Sequence, residues 1–535
     1  MRLFGLLMST CLVYSLGLVS ANASFTSLPD MGSSAQKLLT PAQQARYGAL
    51  MLAQLNSQGV VITDPQLTAW LQEIGLRLQS HSNQPSQFFS LFLLRDRQIN
   101  AFATLGGYIA INAGLILTTE NESEFAAVLA HEMAHVTQHH VLRSVERAQR
   151  DQLPVVLGLL AMIAAAQQSH STSRGDATMA GISGALGLLE QRQINYTRSQ
   201  EAEADRLGIR TLALSGYDPF AMATFFQRLQ WSSRADEAGE QTPDFLRSHP
   251  LTSTRISEAK TRAEQLEHGI AHIQSTWPSA VYSNRFVDPL LPSHWQFSPR
   301  AAVNLKVADH DFAWAKERVR VLTTSNLTET IHNYEKQGQQ KAGKFTPQQL
   351  YGLALARVLG HENVDKAITQ LQQLAHDDPT NRWVALLLAQ ALDQNGQQAA
   401  ADQQLESLLR KSPGQAELTL LFAQILNGRA TPSSGRQAER LLRPLIPAVE
   451  QDLTYIETYA RACELSGNEA LASEAYAEVT YLRGFPERAL MQLNALTNRH
   501  LDYTLRTRIE AKIAEITPEV LEMRRRGIHD SDLEP

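Results

Sequence analysis

The sequence predicts a mostly α-helical protein in two parts: a mixed domain with a small β-hairpin or sheet, then an α-helical solenoid. Three observations carry this. In the first part, Leu67, Leu71, Ile74 and Leu78 mark one face of a helix. Phe88–Leu94 and Gln98–Thr104 are instead strand-like, and Gly106-Gly107 turns the chain into Tyr108–Asn112. In the second part, Pro379, Pro413 and Pro447 recur every 34 residues, with Ala367 repeated as Ala401 and Leu371/Leu374 as Leu405/Leu408.

Composition narrows the class. The 535 residues are 43% apolar and 19% charged, which suits several folded domains and rules out both wholesale disorder and a polytopic membrane protein. A net charge of −6 provides no basic field, so nucleic acid is not an expected partner. The two cysteines, Cys11 and Cys463, exclude zinc ribbons and disulfide frameworks.

Residues 1–23 read as a signal peptide: Arg2, an uncharged run Leu3–Val19, then Ala21-Asn22-Ala23 with cleavage expected after Ala23. The alternative is a retained anchor helix. Residues 24–40 form a Ser/Pro/Gly-containing leader, and helices follow at Pro41–Gln58 and Pro65–Ser80. Thr119-x-x-Glu122 reads as a capping box opening a helix to about Gln149. Leu153–Ala166 is apolar but too short to span a bilayer, so it is expected to be a buried or lid helix, with at most peripheral membrane contact. Ala177–Leu189 mirrors it. Helices are then expected at Arg198–Leu214 and Phe220–Trp231.

The 34-residue period is that of the tetratricopeptide repeat, in which paired helices stack because neither buries its apolar face alone. Repeats are expected over 301–516, after a first domain at 41–287 and a proline-containing linker at 288–300. Residues 517–535 are left as a tail.

The chemistry centres on His131-Glu132-Met133-Ala134-His135. Residues four apart share a helix face, so both imidazoles can reach one Zn²⁺, with Glu132 placed to take a proton from the attacking water. That pattern predicts a zincin-like metallopeptidase domain. A catalytic zinc needs a third protein ligand and one open position. Gln138 and Val141 exclude the metzincin continuation. In Glu201-Ala202-Glu203-Ala204-Asp205, Glu201 and Asp205 share one face, with Glu203 opposite. Glu201 is the candidate third ligand, and Asp205 a residue that orients a ligand histidine from behind.

Together with Asn100-Ala101-Phe102-Ala103, Gly106-Gly107 and Ser248-His249-Pro250, these motifs resemble the zinc endopeptidases related to the CAAX prenyl protease and HtpX. The motifs cover roughly 40–265. With an export signal and C-terminal repeats, the whole chain is similar to the periplasmic β-barrel assembly-enhancing group of that family. The resemblance implies one zinc per chain, with Glu201 as its third ligand. It also implies a periplasmic role in quality control and assembly of outer-membrane β-barrel proteins. The expected clients are misfolded or assembling barrels, and the repeats are expected to meet the barrel-assembly machinery. The sequence departs from the family at His139, where related chains often carry Arg.

Two readings follow. One is an endopeptidase acting on misassembled envelope proteins, to which the hairpin at Gln98–Asn112 offers an edge for an extended substrate. The other is a chaperone-like scaffold whose proteolysis is latent or secondary. His249 matches the family's His-Pro segment, and Pro250 biases it toward an extended backbone that projects its ring inward. Two roles stand open for it: donor to the oxyanion of the tetrahedral intermediate, or a plug in the fourth zinc position. The plug suits an exported protease that is off by default.

Overall fold

The structure is a computed structural model that describes residues 39–151, 198–235, 243–276, 311–340, 345–412, 414–449, 451–525, 527 and 529–530. The signal peptide, most of the leader, the apolar stretches Leu153–Ala166 and Ala177–Leu189, and the linker at 288–300 lie outside the described residues.

The first half opens with α1 (Pro41–Ser57) and α2 (Pro65–Ser80), each started by a proline in its first turn and capped by Thr40 and Asp64 respectively. All four predicted apolar positions of α2 are buried. Three strands follow, β1 (Ser90–Leu94), β2 (Ala101–Ala103) and β3 (Tyr108–Asn112). β2 and β3 form the predicted hairpin, and β1 adds in parallel on the other side of β3, giving the order β1-β3-β2. Gly106 and Gly107 turn the hairpin at positive φ (75° and 87°). At Gly107 a Cβ would stand 2.0 Å from the Phe88 carbonyl oxygen, so only glycine fits.

After the short α3 (Ala113–Thr118), α4 (Glu122–Thr137) is buried along nearly its whole length. Its cap differs from the expected one. Thr119 donates back to the Leu115 and Ile116 carbonyls and so closes α3, while Asn121 accepts from the Glu124 amide and opens α4. The helix also stops earlier than expected. His139 takes the left-handed conformation (φ 53°), and a separate helix, α5 (His140–Asp151), begins after it. The half is completed by α6 (Arg198–Leu214), α7 (Ala221–Ala235), α8 (Asp244–Ser248) and α9 (Ser253–Thr276).

The second half consists, among the described residues, of six helix pairs. They are α10 (Phe312–Leu322) with α11 (Leu327–Gln340), α12 (Pro347–Leu359) with α13 (Val364–Asp377), and α14 (Arg382–Gln394) with α15 (Gln398–Lys411). Then come α16 (Ala416–Gly428) with α17 (Pro432–Leu442), α18 (Leu453–Ser466) with α19 (Glu469–Leu482), and α20 (Pro486–Thr497) with α21 (Tyr503–Arg525). Pro379 and Pro447 fall between successive pairs, and Ala367, Leu371, Leu374, Ala401 and Leu405 are all buried. α21 runs on through 517–525, and Asp530 beyond it accepts from the Glu487 and Arg488 amides at the start of α20. The segment read as a tail is therefore partly built into the last pair.

The two halves share one apolar core. Phe312 of α10 is 2% exposed and packs on Trp70 and Phe125, with ring centroids 6.3 and 6.5 Å away, while those two rings stack at 5.1 Å. Buried Arg318 makes a two-pronged ion pair with Asp64 (2.7 and 2.8 Å) and donates to the Tyr351 hydroxyl at 2.8 Å. Helix α16 also packs on α2, and Arg46 of α1 pairs with Glu519 of α21. Part of the repeats is thus covered by the chain's own first half. Truncating Phe312 to Ala should destabilise the protein by about 3–5 kcal/mol, because a large side chain leaves a core that cannot fully collapse. Denaturant titration checks this, and an unchanged midpoint would show that the halves are held only by their polar contacts.

Candidate metal centre and active site

Helix α4 carries His131, Glu132 and His135, and α6 carries Glu201 and Asp205. The two helices approach closely at Gly208, where an added Cβ would stand only 3.1 Å from the His131 backbone nitrogen. This close crossing sets the acids of α6 against the histidines of α4. The Nε2 atoms of His131 and His135 lie 3.0 Å apart. Glu201 Oε1 is 3.4 Å from His135 Nε2, and its Oε2 is 3.6 Å from His131 Nε2.

His249 enters from the residue just after α8, at φ −119° and ψ 78°, the non-helical backbone that Pro250 favours. Its Nδ1 is 3.0 Å from Glu201 Oε1 and 3.3 Å from His131 Nε2. The Phe245 ring stacks on it at 4.7 Å, and the Phe245 amide is tied to the Ile99 carbonyl just before β2. One donor atom from each of His131, His135, Glu201 and His249 lies within 4.8 Å of the others, and all four residues are buried.

Each of these groups is held from behind. His131 Nδ1 is 3.0 Å from Asp205 Oδ1, an ion-pair distance without the alignment of a hydrogen bond. Glu132 Oε2 accepts from the Ala103 amide at 3.0 Å, so edge strand β2 fixes the carboxylate. Glu203, on the other side of α6 as expected, meets His140 and Arg143. Arg255 of α9 was not singled out from sequence. It donates through Nε and Nη2 to both oxygens of Asp205, each at 2.8 Å, and its Nη1 stands 2.6 Å from Glu201 Oε2 and 3.0 Å from the Pro250 carbonyl. The signal that points to it is charge balance: two buried acids on one helix face require a cation from elsewhere.

Electrostatics follow from burial and these neighbours. Burial raises the Glu132 pKa, only partly opposed by His249 and His131. Burial would raise Glu201 too, but His249, His131 and His135 outweigh it and hold the carboxyl far below the usual range. Asp205 is likewise held down, against burial, by His131 and Arg255. Burial pushes His135 well below the ordinary histidine value. Burial opposes charge on His131, yet Asp205 and Glu201 prevail and raise its pKa to about 10.

These observations fit a metal ion. His131 turns its Nδ1 toward the Asp205 carboxylate, and its Nε2 stands 3.0 Å from the Nε2 of His135. Two imidazole nitrogens at that distance need a proton or a cation between them, and a metal ion would serve. Glu132 Oε1, fully buried, has no hydrogen-bond partner among the described residues. Two imidazoles and a carboxylate form a donor set suited to a divalent metal, with His249 Nδ1 at a fourth corner. Arg255→Gln should destabilise the metal-free chain by about 3–5 kcal/mol, since it leaves two buried carboxylates short of their cation. Calorimetry of the chelator-treated variant checks this, and an unaltered unfolding temperature would show that the acids are compensated by other groups.

Residues 65–263 match the profile of peptidase family M48, and residues 358–425 match a tetratricopeptide repeat. The chain is 33% identical over 383 residues to the beta-barrel assembly-enhancing protease of Escherichia coli (strain K12), covering 70% of this chain and 74% of the relative. It is 43% identical over 243 residues to a putative beta-barrel assembly-enhancing protease of Vibrio cholerae, covering 44% and 48%. Metalloprotease LoiP of Escherichia coli (strain K12) is 30% identical over 200 residues, covering 36% and 69%. Motif, donor geometry and similarity agree: the chain belongs to peptidase family M48, as a metallopeptidase joined to tetratricopeptide repeats and similar to the beta-barrel assembly-enhancing proteases.

Proposed function

We propose that the protein is an exported, zinc-dependent endopeptidase of the periplasm that acts in quality control and assembly of outer-membrane β-barrel proteins. The observation that carries the reading is the convergence of His131, His135 and Glu201 beside a buried Glu132, whose Oε1 accepts no hydrogen bond among the described residues and lies 3.5 Å from His249 Nε2. His131, His135 and Glu201 hold the metal. A bound zinc supplies Lewis acidity, activating water and polarising the scissile carbonyl. Glu132, kept in place by the Ala103 amide and raised in pKa by burial, takes the water's proton and returns it to the leaving amine. Asp205 orients His131, and Arg255 offsets the charge of Asp205 and Glu201.

The client class rests on the names of the relatives and on the repeats, which offer helix faces beyond those packed on the first half. Edge strand β2 supports the entry of an extended, unpaired strand alongside the site, the form in which an unassembled barrel segment presents itself. Export rests on the signal-peptide pattern of residues 1–23, and no helix among the described residues is long and apolar enough to cross a membrane. The purely scaffolding alternative gains nothing from a buried, hydrogen-bonded Glu132. His249 Nδ1 lies among the ligand atoms, which supports the plug over the oxyanion donor.

Glu132→Gln should keep the metal and the fold but lower hydrolysis of an unfolded barrel protein by about 10²–10⁴-fold. Wild-type turnover by that variant rejects the mechanism. His249→Ala should raise basal proteolysis. A fall of about 100-fold would instead assign it to oxyanion stabilisation.

A further inference from the structure

The left-handed turn at His139 sits at the end of the helix bearing the HExxH motif, where a non-glycine residue in that conformation costs about 1–2 kcal/mol. Its geometric effect is specific. In an uninterrupted helix His140 would lie about 140° round from His135, facing away from it. The break at His139 swings it back, so that His140 Nδ1 stands 2.9 Å from His135 Nδ1. The His140 ring is fully buried, and its other nitrogen, Nε2, is 3.1 Å from Glu203 Oε2. Glu203 is in turn 3.5 Å from Arg143 Nη1.

We propose that His140 is a positioning residue for His135, one link in a Glu203–His140–His135 relay that fixes the tautomer of the metal ligand. The inference rests on the reading of His135 as a ligand, and the hydrogen atoms then follow without freedom. A ligand Nε2 must present a lone pair, so His135 carries its proton on Nδ1. That N–H points at His140 Nδ1, which must accept. His140 therefore carries its own proton on Nε2 and donates it to the Glu203 carboxylate, an acceptor only. The two ligand histidines are thereby held differently: His131 directly by Asp205, and His135 through an intervening imidazole. Such partners behind a ligand typically change metal affinity by about 10–100-fold.

The test compares two replacements in the full chain. Asn places an oxygen where His140 Nδ1 stands and can accept from His135, whereas Leu fills similar space and cannot. Zinc affinity is measured by competition with a chromophoric chelator, with His135→Ala as the control. His140→Leu should weaken zinc about 10–100-fold, and His140→Asn should stay near wild type. A purely packing role predicts the reverse order. Wild-type affinity in His140→Leu, or equal loss in both variants, overturns the relay. Wild-type affinity in His135→Ala would instead overturn the ligand reading itself. Should His140→Leu fail to fold, nitrogen-15 spectra of the histidine-labelled, zinc-loaded protein decide the matter. A proton on His140 Nε2 with a bare His140 Nδ1 supports the relay, and a proton on His140 Nδ1 overturns it.

Discussion

Burying Glu132, Glu201 and Asp205 around His131 and His249 is the constraint around which the rest of this molecule is arranged. Three carboxylates in a water-poor pocket are tolerable only if each finds positive charge or a donor. Arg255 answers two of them at once, the histidines crowd around Glu201, and the Ala103 amide answers one oxygen of Glu132. Each answer comes from a different element, namely α9, α4, the segment after α8 and β2. The site therefore exists only when the whole first half is folded. One demand is left over at the facing Nε2 atoms of His131 and His135, and a metal ion would meet it.

The same arrangement couples the fourth corner to the third. Arg255 Nη1 bridges Glu201 and the Pro250 carbonyl, so the segment that carries His249 is pinned by the cation that balances Glu201. Movement of His249 away from the site must then disturb Arg255 or rotate about Pro250. Phe245, stacked on the His249 ring and tied to the strand region through the Ile99 carbonyl, links that movement to the edge on which an extended substrate is proposed to lie. The shared core of Trp70, Phe125 and Phe312 extends the coupling to the repeats, because Phe125 belongs to the same helix as His131.

Much of this was legible in the sequence for a simple reason: i, i+4 spacing on a helix is geometry that local structure alone imposes. His131 with His135, and Glu201 with Asp205, needed nothing but their helices. The proline period declared paired helices equally directly. What could not be read depends on tertiary choice. The helix end at His139 is a left-handed residue with no glycine to announce it, and the Thr119 cap was mistaken because the same side chain can close one helix or open the next. Arg255 answers acids fifty positions away, and the parallel pairing of β1 with β3 joins strands separated by the hairpin's own first strand. The packing of α2 against α16 follows from complementary surfaces that neither segment displays alone.

The account depends most on the identity of the ligands around one metal ion. Zinc K-edge absorption spectroscopy of the metal-loaded full chain, paired with elemental analysis, reads this directly. One zinc per chain is expected, in a shell of nitrogen and oxygen donors whose imidazole scattering fits two or three histidines and whose carboxylate contribution disappears in Glu201→Gln. A zinc shell containing sulfur, or one unchanged by Glu201→Gln, would contradict the assignment of His131, His135 and Glu201 and with it the catalytic role derived for Glu132.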